Sequence, residues 1–564
     1  MKHNIKIRLT CLLFNLLTCL LTFVSCDSYL DRAPELPLDD KAVFTVFANA
    51  ERYHNDIYSE LQARFNAVGD YQPVPLACAS DEADAYLSSH GTQNFNNGNY
   101  DGLDAQLAYY NGIRKANTFL SKVNVIPFPA EAKKNQMLGE VYFLRAFYFN
   151  EIVKRFGGMP IMDENRILMP GDNMQFARDS YKDCVHFILA DLEKAISMLP
   201  VTLTENEYGR ATKGAAMALK ARVLLFAASP LWQKEMGEDL WQKAAEAAKA
   251  VIDLKDENGE LVYELYGNSA DDYEKLFFTR RKSGNKEVIF YKHAAPVDFN
   301  SDEIKVWSPK GGTFGGNGAV CPTQNFVDLF EMANGKLFYE SGSGYDEQNP
   351  YLNRDPRFYK IVLYNGCTWQ GETLDLTYNA IKDNSGTHRK DKSDYTRTGY
   401  YVRKYLPEGV KNNTSNTGYH NWIYFRLAEM YLNYAEAMNE AFGPDNDNGY
   451  GLTARQAVNK VRTRSGVVDI VASNQAAMQQ RIWNERAIEL SFEEHRWWDA
   501  RRWKKAYEWF GGAMNEMEIT KNGAQLVYTV KPFFSRIYRS YMDLYPIPTD
   551  EIKKNPLYYQ NPGY

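Results

Sequence analysis

The sequence predicts a mostly α-helical chain of stacked helical pairs with a loop-rich insertion in its middle. Two observations carry that prediction. Segments toward both ends show sustained helical periodicity in good helix formers. Between about residues 255 and 420 that periodicity disappears, and Gly, Asn, Tyr, Pro and Ser rise instead.

A helical pattern begins at Ala42 and runs to about Leu61. Residues 69–101 contain Pro73, Pro75 and then DEADAYLSSHGTQNFNNGNYDG, which reads as one long loop. Loops of that length in compact domains are commonly functional or disordered. Helices are predicted from Leu103 to Val123 and from Ala130 to Phe156. Gly157-Gly158 stops the second, with Pro160 just beyond. Further helices fit 176–198, 212–228 and 239–253, the last containing AAEAAKA. Small residues at the contacts suggest α-hairpins of tetratricopeptide type, although the strict repeat consensus is absent. In the insertion, Val288-Ile289-Phe290-Tyr291 and Tyr359 to Tyr364 read as strands of short hairpins. Helices resume over 424–441, 452–464 and 475–510. The Pro- and Tyr-rich tail, 531–564, is expected to pack over them.

The N-terminus reads as an export signal. Lys2, His3, Lys6 and Arg8 precede an apolar run from Leu9 to Val24, then Ser25 and Cys26. This is the layout of a secretory signal peptide. The small residue followed by Cys resembles the bacterial lipobox, whose thiol carries a lipid. The run is too short and too polar for a membrane span. A plain secretory peptide with a coincidental Cys is the alternative. The expected organisation is a signal peptide (1–25), a lipidated tether anchored at Cys26 (26–40) and one domain (41–564). That domain divides into an N-terminal helical part (41–255), a loop-rich ligand-binding part (256–420) and a C-terminal helical part with its tail (421–564).

The formal net charge of −6 is small for 564 residues, and no long basic block points to nucleic acid. Past the cleavage point, Cys78, Cys184, Cys321 and Cys367 are scattered, without zinc-ligand spacing. A disulfide framework is not expected, and one pair stays open.

Several segments carry a family resemblance. Glu140-x-x-Phe143-Leu144-Arg145-Ala146 leads to Arg155-Phe156-Gly157-Gly158-Met159-Pro160. Gly209-Arg210-Ala211-Thr212-Lys213-Gly214 follows, then Arg426-Leu427-Ala428-Glu429-Met430-Tyr431 and Asn459-Lys460-Val461-Arg462-x-Arg464-x-Gly466. Glu485-Arg486-x-x-Glu489-Leu490 and Tyr545-Pro546-Ile547-Pro548 close the series. In this order, after a lipobox, they resemble the SusD/RagB family of Bacteroidetes outer-membrane lipoproteins. The match runs from Cys26 to the C-terminus and is weakest over 260–420. The resemblance implies a tetratricopeptide-like scaffold whose irregular loops carry the ligand site. It implies a lipid-anchored surface protein that caps a SusC-like TonB-dependent transporter and hands it a nutrient, most often a glycan, sometimes a peptide. It implies neither enzymatic activity nor a cofactor.

Other motifs were weighed for chemistry. Glu485, Glu489, Glu493, Arg496, Asp499 and Arg502 are spaced to share one helical face. They read as an ion-pair ladder rather than as the carboxylate pair of a glycosidase. Glu494-His495 lacks the H-E-x-x-H zinc pattern. The Gly311–Gly318 run lacks the Lys and Ser/Thr of a phosphate loop. Asp445-Asn446-Asp447-Asn448-Gly449 fails the EF-hand spacing. No G-x-S-x-G or Cys–His arrangement is visible.

Sugar recognition needs flat aromatic faces and planar groups that read pairs of hydroxyls. Two loops hold that mixture: Tyr86, His90, Gln93, Asn94, Phe95, Asn96 and Tyr100, then Trp307, Phe314 and Asn317. Trp369, beside Gln370 and Glu372, joins them from a third. The competing reading is that each ring anchors its own loop to the scaffold. The family has no fixed ligand motif, so these choices rest on loop position and chemistry. Trp497, Trp498 and Trp503 read as core.

Overall fold

The computed structural model describes residues 40–62, 68, 73–100, 104, 107–166, 171–173, 175–292, 296–310, 314–378, 395–412 and 414–564. The signal peptide, Cys26 and the tether lie outside the described residues. The principal helices are α1 (Phe47–Ile57), α2 (Tyr109–Ser121), α3 (Glu131–Phe156), α4 (Tyr181–Met198), α5 (Lys213–Ala228) and α6 (Trp241–Ile252). After the insertion come α7 (Leu427–Phe442), α8 (Ala454–Arg464), α9 (Gln475–Glu489) and α10 (His495–Arg502). Side-chain caps start several of them. Ser180, Thr212 and Asn474 accept from the backbone N–H of Asp183, Ala215 and Ala477, and Thr453 forms a capping box with Gln456.

Each helix packs on the next from α2 through α7, and α7 also carries α8 and α9. This is the stacked-pair scaffold expected from the sequence. Helix α5 has Gly, Ala, Leu and Val all round and is buried accordingly, between α4 and α6. Contact between α6 and α7 closes the stack across the insertion, which loops out between them. Strands β2 (Val288–Lys292) and β4 (Trp422–Arg426) pair antiparallel at its base. Strand β1 (Ala83–Ala85) pairs with β3 (Val320–Pro322), tying the N-terminal loop to the insertion.

The family-type motifs have structural work. Gly157 ends α3 with φ +75, a backbone region that favours glycine. A Cβ on Gly158 would lie 2.0 Å from the Asp179 carbonyl oxygen, so only glycine lets the two backbones approach. Arg145 holds Asp191 at 2.7 Å, and Arg155 holds Asp104 and Glu151 at 3.0 and 2.9 Å.

One expectation is corrected, a single helix over 475–510. The helix stops at Glu489, and Phe492 and Glu494 take φ of +57 and +68 before α10 begins. The acidic strip therefore does not run along one face. Its members pair mostly with other elements. Glu489 meets Arg426 at 2.7 Å, Arg357 at 3.0 Å and Arg464, while Glu485 meets Arg462 at 2.8 Å and Arg357. Glu493 binds Arg426 and Lys404, both at 2.7 Å. Arg496 holds Asp81 at 2.7 Å, and only Asp499–Arg502, at 2.8 Å, lies within the strip. The ion-pair reading stands, as a three-dimensional cluster instead of a ladder.

Residues 512–536, left without an element in the sequence reading, form a long hairpin of β5 (Gly512–Asn522) and β6 (Gln525–Arg536). Gly523, with φ +62, lies in its turn. Strand β5 buries Met514, Met517 and Ile519, whereas the outer strand β6 is largely exposed and carries Lys531 and Pro532, residues that blunt a free edge.

Two stability predictions follow from the buried charges. Arg426→Met would strand Glu287, Glu489 and Glu493 without a cation each now shares. Losing one partner of a buried pair costs about 3–5 kcal/mol, so the urea midpoint should fall sharply. A midpoint within error of the parent would refute the central role of Arg426.

The second concerns Glu82, which accepts from the Phe492 N–H at 2.9 Å and so pins the left-handed turn. Burial pushes its carboxyl up to about 7, with the Phe492 N–H opposing. The folded state therefore keeps a proton that the unfolded chain has released. Stability should be full below about pH 4.5 and fall as pH rises to 7, by about 3 kcal/mol at most. Glu82→Gln should flatten that slope. An unchanged slope in equilibrium unfolding between pH 5 and 8 would count against it.

Candidate ligand-binding surface

Loops distant in sequence meet over the base of the insertion. The β1–β3 ladder sets Tyr86 beside Ala319, whose carbonyl accepts the Tyr86 N–H at 3.2 Å. Gly315 lies against the side chain of Asn412. The hairpin around Trp369 joins the same strap. Gln370 accepts from the Gly409 N–H at 2.8 Å and donates to the Pro407 carbonyl at 3.4 Å. Asn416 donates to the Gly409 carbonyl at 2.9 Å, and Gly418 pairs with Val297 across a short bridge. The strap from Tyr405 to Tyr419 thus gathers the second and third predicted loops, and β3 links them to the first.

The residues singled out from these loops fare differently. Trp307 is 2% exposed, edge-on to Tyr405 and Phe492 at 6.0 and 6.5 Å. Trp369, also 2% exposed, has the Arg403 guanidinium 5.2 Å from its ring. Phe314 is buried, and Phe95 packs among Tyr100, Trp497 and Tyr545. Tyr86 is buried with His90 edge-on at 5.3 Å. The expectation that these rings present stacking faces is therefore corrected. Each face is taken by packing, which is the anchoring role weighed against it.

Polar candidates divide likewise. Gln93 donates to Asp84 at 2.6 Å and Asn96 to the Cys78 carbonyl at 3.0 Å, both buried. Tyr100 is half-buried, its hydroxyl accepting from Arg501 at 2.6 Å. Burial lowers the pKa of His90 to about 4, against the pull of Asp84, so its ring is neutral at neutral pH. Asn94 and Asn317 stay half-exposed.

Among the described residues of these loops, the amides of Asn317, Gln370, Asn412 and Asn416 are half-exposed or exposed, and so is the ring of Tyr419. Tyr419 is 40% exposed, with the Arg280 guanidinium 3.6 Å from its centroid. Sequence reading missed it, although it ends the polar run NNTSNTGY and meets the same criterion that selected Trp307. Among the described residues no His, Cys, Asp and Glu cluster is arranged to hold a metal. Asp445, in the acidic loop, is paired with Arg455 at 2.7 Å. His495 is half-buried, and desolvation together with Arg222 and Arg486 keeps its pKa well below the usual range.

Comparison with known proteins gives this geometry a family. The SusD family model matches residues 286–564, and the model described as "Starch-binding associating with outer membrane" matches residues 29–225. The chain belongs to the SusD/RagB family. SusD-like protein P2 of Formosa agariphila is 27% identical over 97% of this chain and 98% of its own length. The crystal structure of a SusD-like protein from Bacteroides fragilis superposes with a TM-score of 0.74 at 29% identity, covering 94% of this chain and all of that one. A laminarin-binding SusD-like protein shares the fold, with a TM-score of 0.62 at 22% identity over 92% of this chain and 99% of its own.

SusD-type scaffolding and ligand contact predict opposite mutational signatures. Trp307→Ala and Trp369→Ala should each lower stability by about 3–5 kcal/mol, as buried aromatic truncations do. Tyr419→Ala should leave the melting temperature within about 2 °C, because an exposed ring contributes little. Thermal unfolding of the three variants checks this. Equal losses for all three would remove Tyr419 from the accessible surface.

Proposed function

We propose that this SusD-family protein binds an extracellular glycan on the amide rim beside Tyr419 and delivers it to a partner TonB-dependent transporter of SusC type. Its place would be the outer membrane, anchored through lipid on Cys26 and facing outward. The carrying observation is the chemistry of the rim. An exposed tyrosine ring backed by Arg280 offers a face for the C–H side of a sugar. The half-exposed amides of Asn317 and Asn412 can read hydroxyl pairs as donor and acceptor together, while those of Gln370 and Asn416 hold the strap. The scaffold beneath is rigidly ion-paired, so the site is largely pre-formed and little ordering is required on binding.

A binding role suits the carboxylates as well. Glu485, Glu489 and Glu493 are buried and shared among arginines. Burial opposes ionisation of Glu489, but Arg464, Arg426 and Arg357 prevail and hold its pKa well below the ordinary range. A general acid needs the reverse shift. The outer-membrane setting rests on the family description. A peptide ligand is the second reading within the same transport role, because amides also pair with peptide backbone.

The test is affinity electrophoresis of protein starting at Asp27 through gels holding plant, fungal and host polysaccharides, beside Tyr419→Ala. One glycan should retard the protein, and the variant should lose at least about 1.4 kcal/mol of that binding, a tenfold change. Cleavage of the retarding polysaccharide would overturn the non-enzymatic reading. Retardation by none of them would shift the ligand to peptide.

A further inference from the structure

A second cavity lies away from the amide rim. It measures about 960 Å³ and is lined by α2, by residues of 159–166 and 171–176 such as Met159, Met162 and Phe176, and by the C-terminal helix Thr549–Lys554. Ligand pockets commonly span about 300–1,000 Å³, and protein interiors otherwise leave few voids larger than a water.

Its walls are fastened in place. The Tyr110 hydroxyl donates to the Pro160 carbonyl at 2.9 Å, and Asn117 donates to the Met162 carbonyl at 2.9 Å. Asn555 donates to the Phe176 carbonyl at 2.7 Å. Arg178 braces the junction with the tail, donating to the Phe156 and Gly158 carbonyls at 2.7 Å each and to the Tyr559 carbonyl at 2.9 Å. The cavity therefore cannot close by small side-chain shifts.

The lining is divided by chemistry. Ile113, Met159, Met162, Phe176 and Tyr558 supply an apolar interior. Arg114, Arg166 and Lys554 stand exposed at its rim, with Asp172 and Glu551. Glu551 and Lys554 neutralise each other at 2.7 Å. That leaves Arg114, Arg166 and Asp172 at the rim, Arg166 also donating to the Ile161 carbonyl at 3.1 Å, and guanidiniums suit carboxylate or sulfate oxygens. A sugar would need hydroxyl partners, yet the amides of Asn117 and Asn555 and the Tyr110 hydroxyl are occupied in holding the walls, and the remaining lining amide, Asn111, is exposed at the edge. The lining thus favours an apolar body over a glycan.

We propose that this cavity binds an amphiphilic anion, an acyl chain or aromatic body carrying one carboxylate or sulfate, with the apolar part inside and the head group at Arg114 and Arg166. The proposal is independent of the glycan site.

The test titrates protein starting at Asp27 with 11-(dansylamino)undecanoate and follows dansyl fluorescence. Saturable one-site binding is expected, displaced by decanoate but not by decan-1-ol at equal concentration. Ala108→Trp, at an exposed wall position, and Arg114→Glu should each weaken binding about tenfold while melting like the parent. Four outcomes would overturn the proposal: no saturable binding, undiminished binding in folded Ala108→Trp, equal displacement by decan-1-ol, or displacement by an acidic oligosaccharide.

Discussion

The rest of the structure depends on one buried electrostatic junction, where Arg426 and Glu489 meet. Arg426 ends the strand that closes the base of the insertion and stands at the N-cap of α7. Its guanidinium reaches Glu287 at the other side of that base, Glu489 on α9 and Glu493 in the left-handed turn. Glu489 in turn reaches Arg464 on α8 and Arg357 inside the insertion. Scaffold, insertion and C-terminal helices are thereby fixed to one another by groups with almost no access to water. Buried charges are costly unless paired, so each partner constrains the position of the others.

That junction also underlies the loops on which the proposed binding surface lies. The loops over the insertion have little regular secondary structure of their own, and a surface read by amides must be held still to discriminate. Their rigidity comes from below, through Trp307 against Phe492 in the pinned turn and through Arg403 beside Trp369. The aromatic residues of the loops act mainly as pegs into this base, leaving Tyr419 as the accessible ring of the rim. A similar division governs the second cavity, whose polar side chains hold the walls while apolar side chains and rim cations face the void.

The family-type motifs turn out to be assembly instructions. Arg145, Arg155, Gly158, Arg426, Arg462 and Glu489 are all buried in ion pairs or close backbone contacts. Residues of the rim lie outside those motifs. A resemblance built on such motifs therefore reports the scaffold and is silent on the ligand, even though the SusD family model extends across residues 286–420 of the insertion.

The sequence by itself determined the helical segments, the insertion and the family, because periodicity, Gly stops and motif order are local signals. It did not separate one long helix from α9 and α10, since the break at Phe492 and Glu494 depends on Glu82, some four hundred residues away, accepting the Phe492 N–H. The hairpin over 512–536 was not read from the sequence, although Asn522-Gly523 is a turn-forming pair. Nor was the sequence able to say which loop rings face water. Trp307 and Tyr419 lie in similar polar surroundings in sequence, and only packing against Tyr405 and Phe492 in one case, and Arg280 at the surface in the other, decided their roles. Burial is a property of the neighbours that tertiary structure brings, and sequence proximity does not contain it.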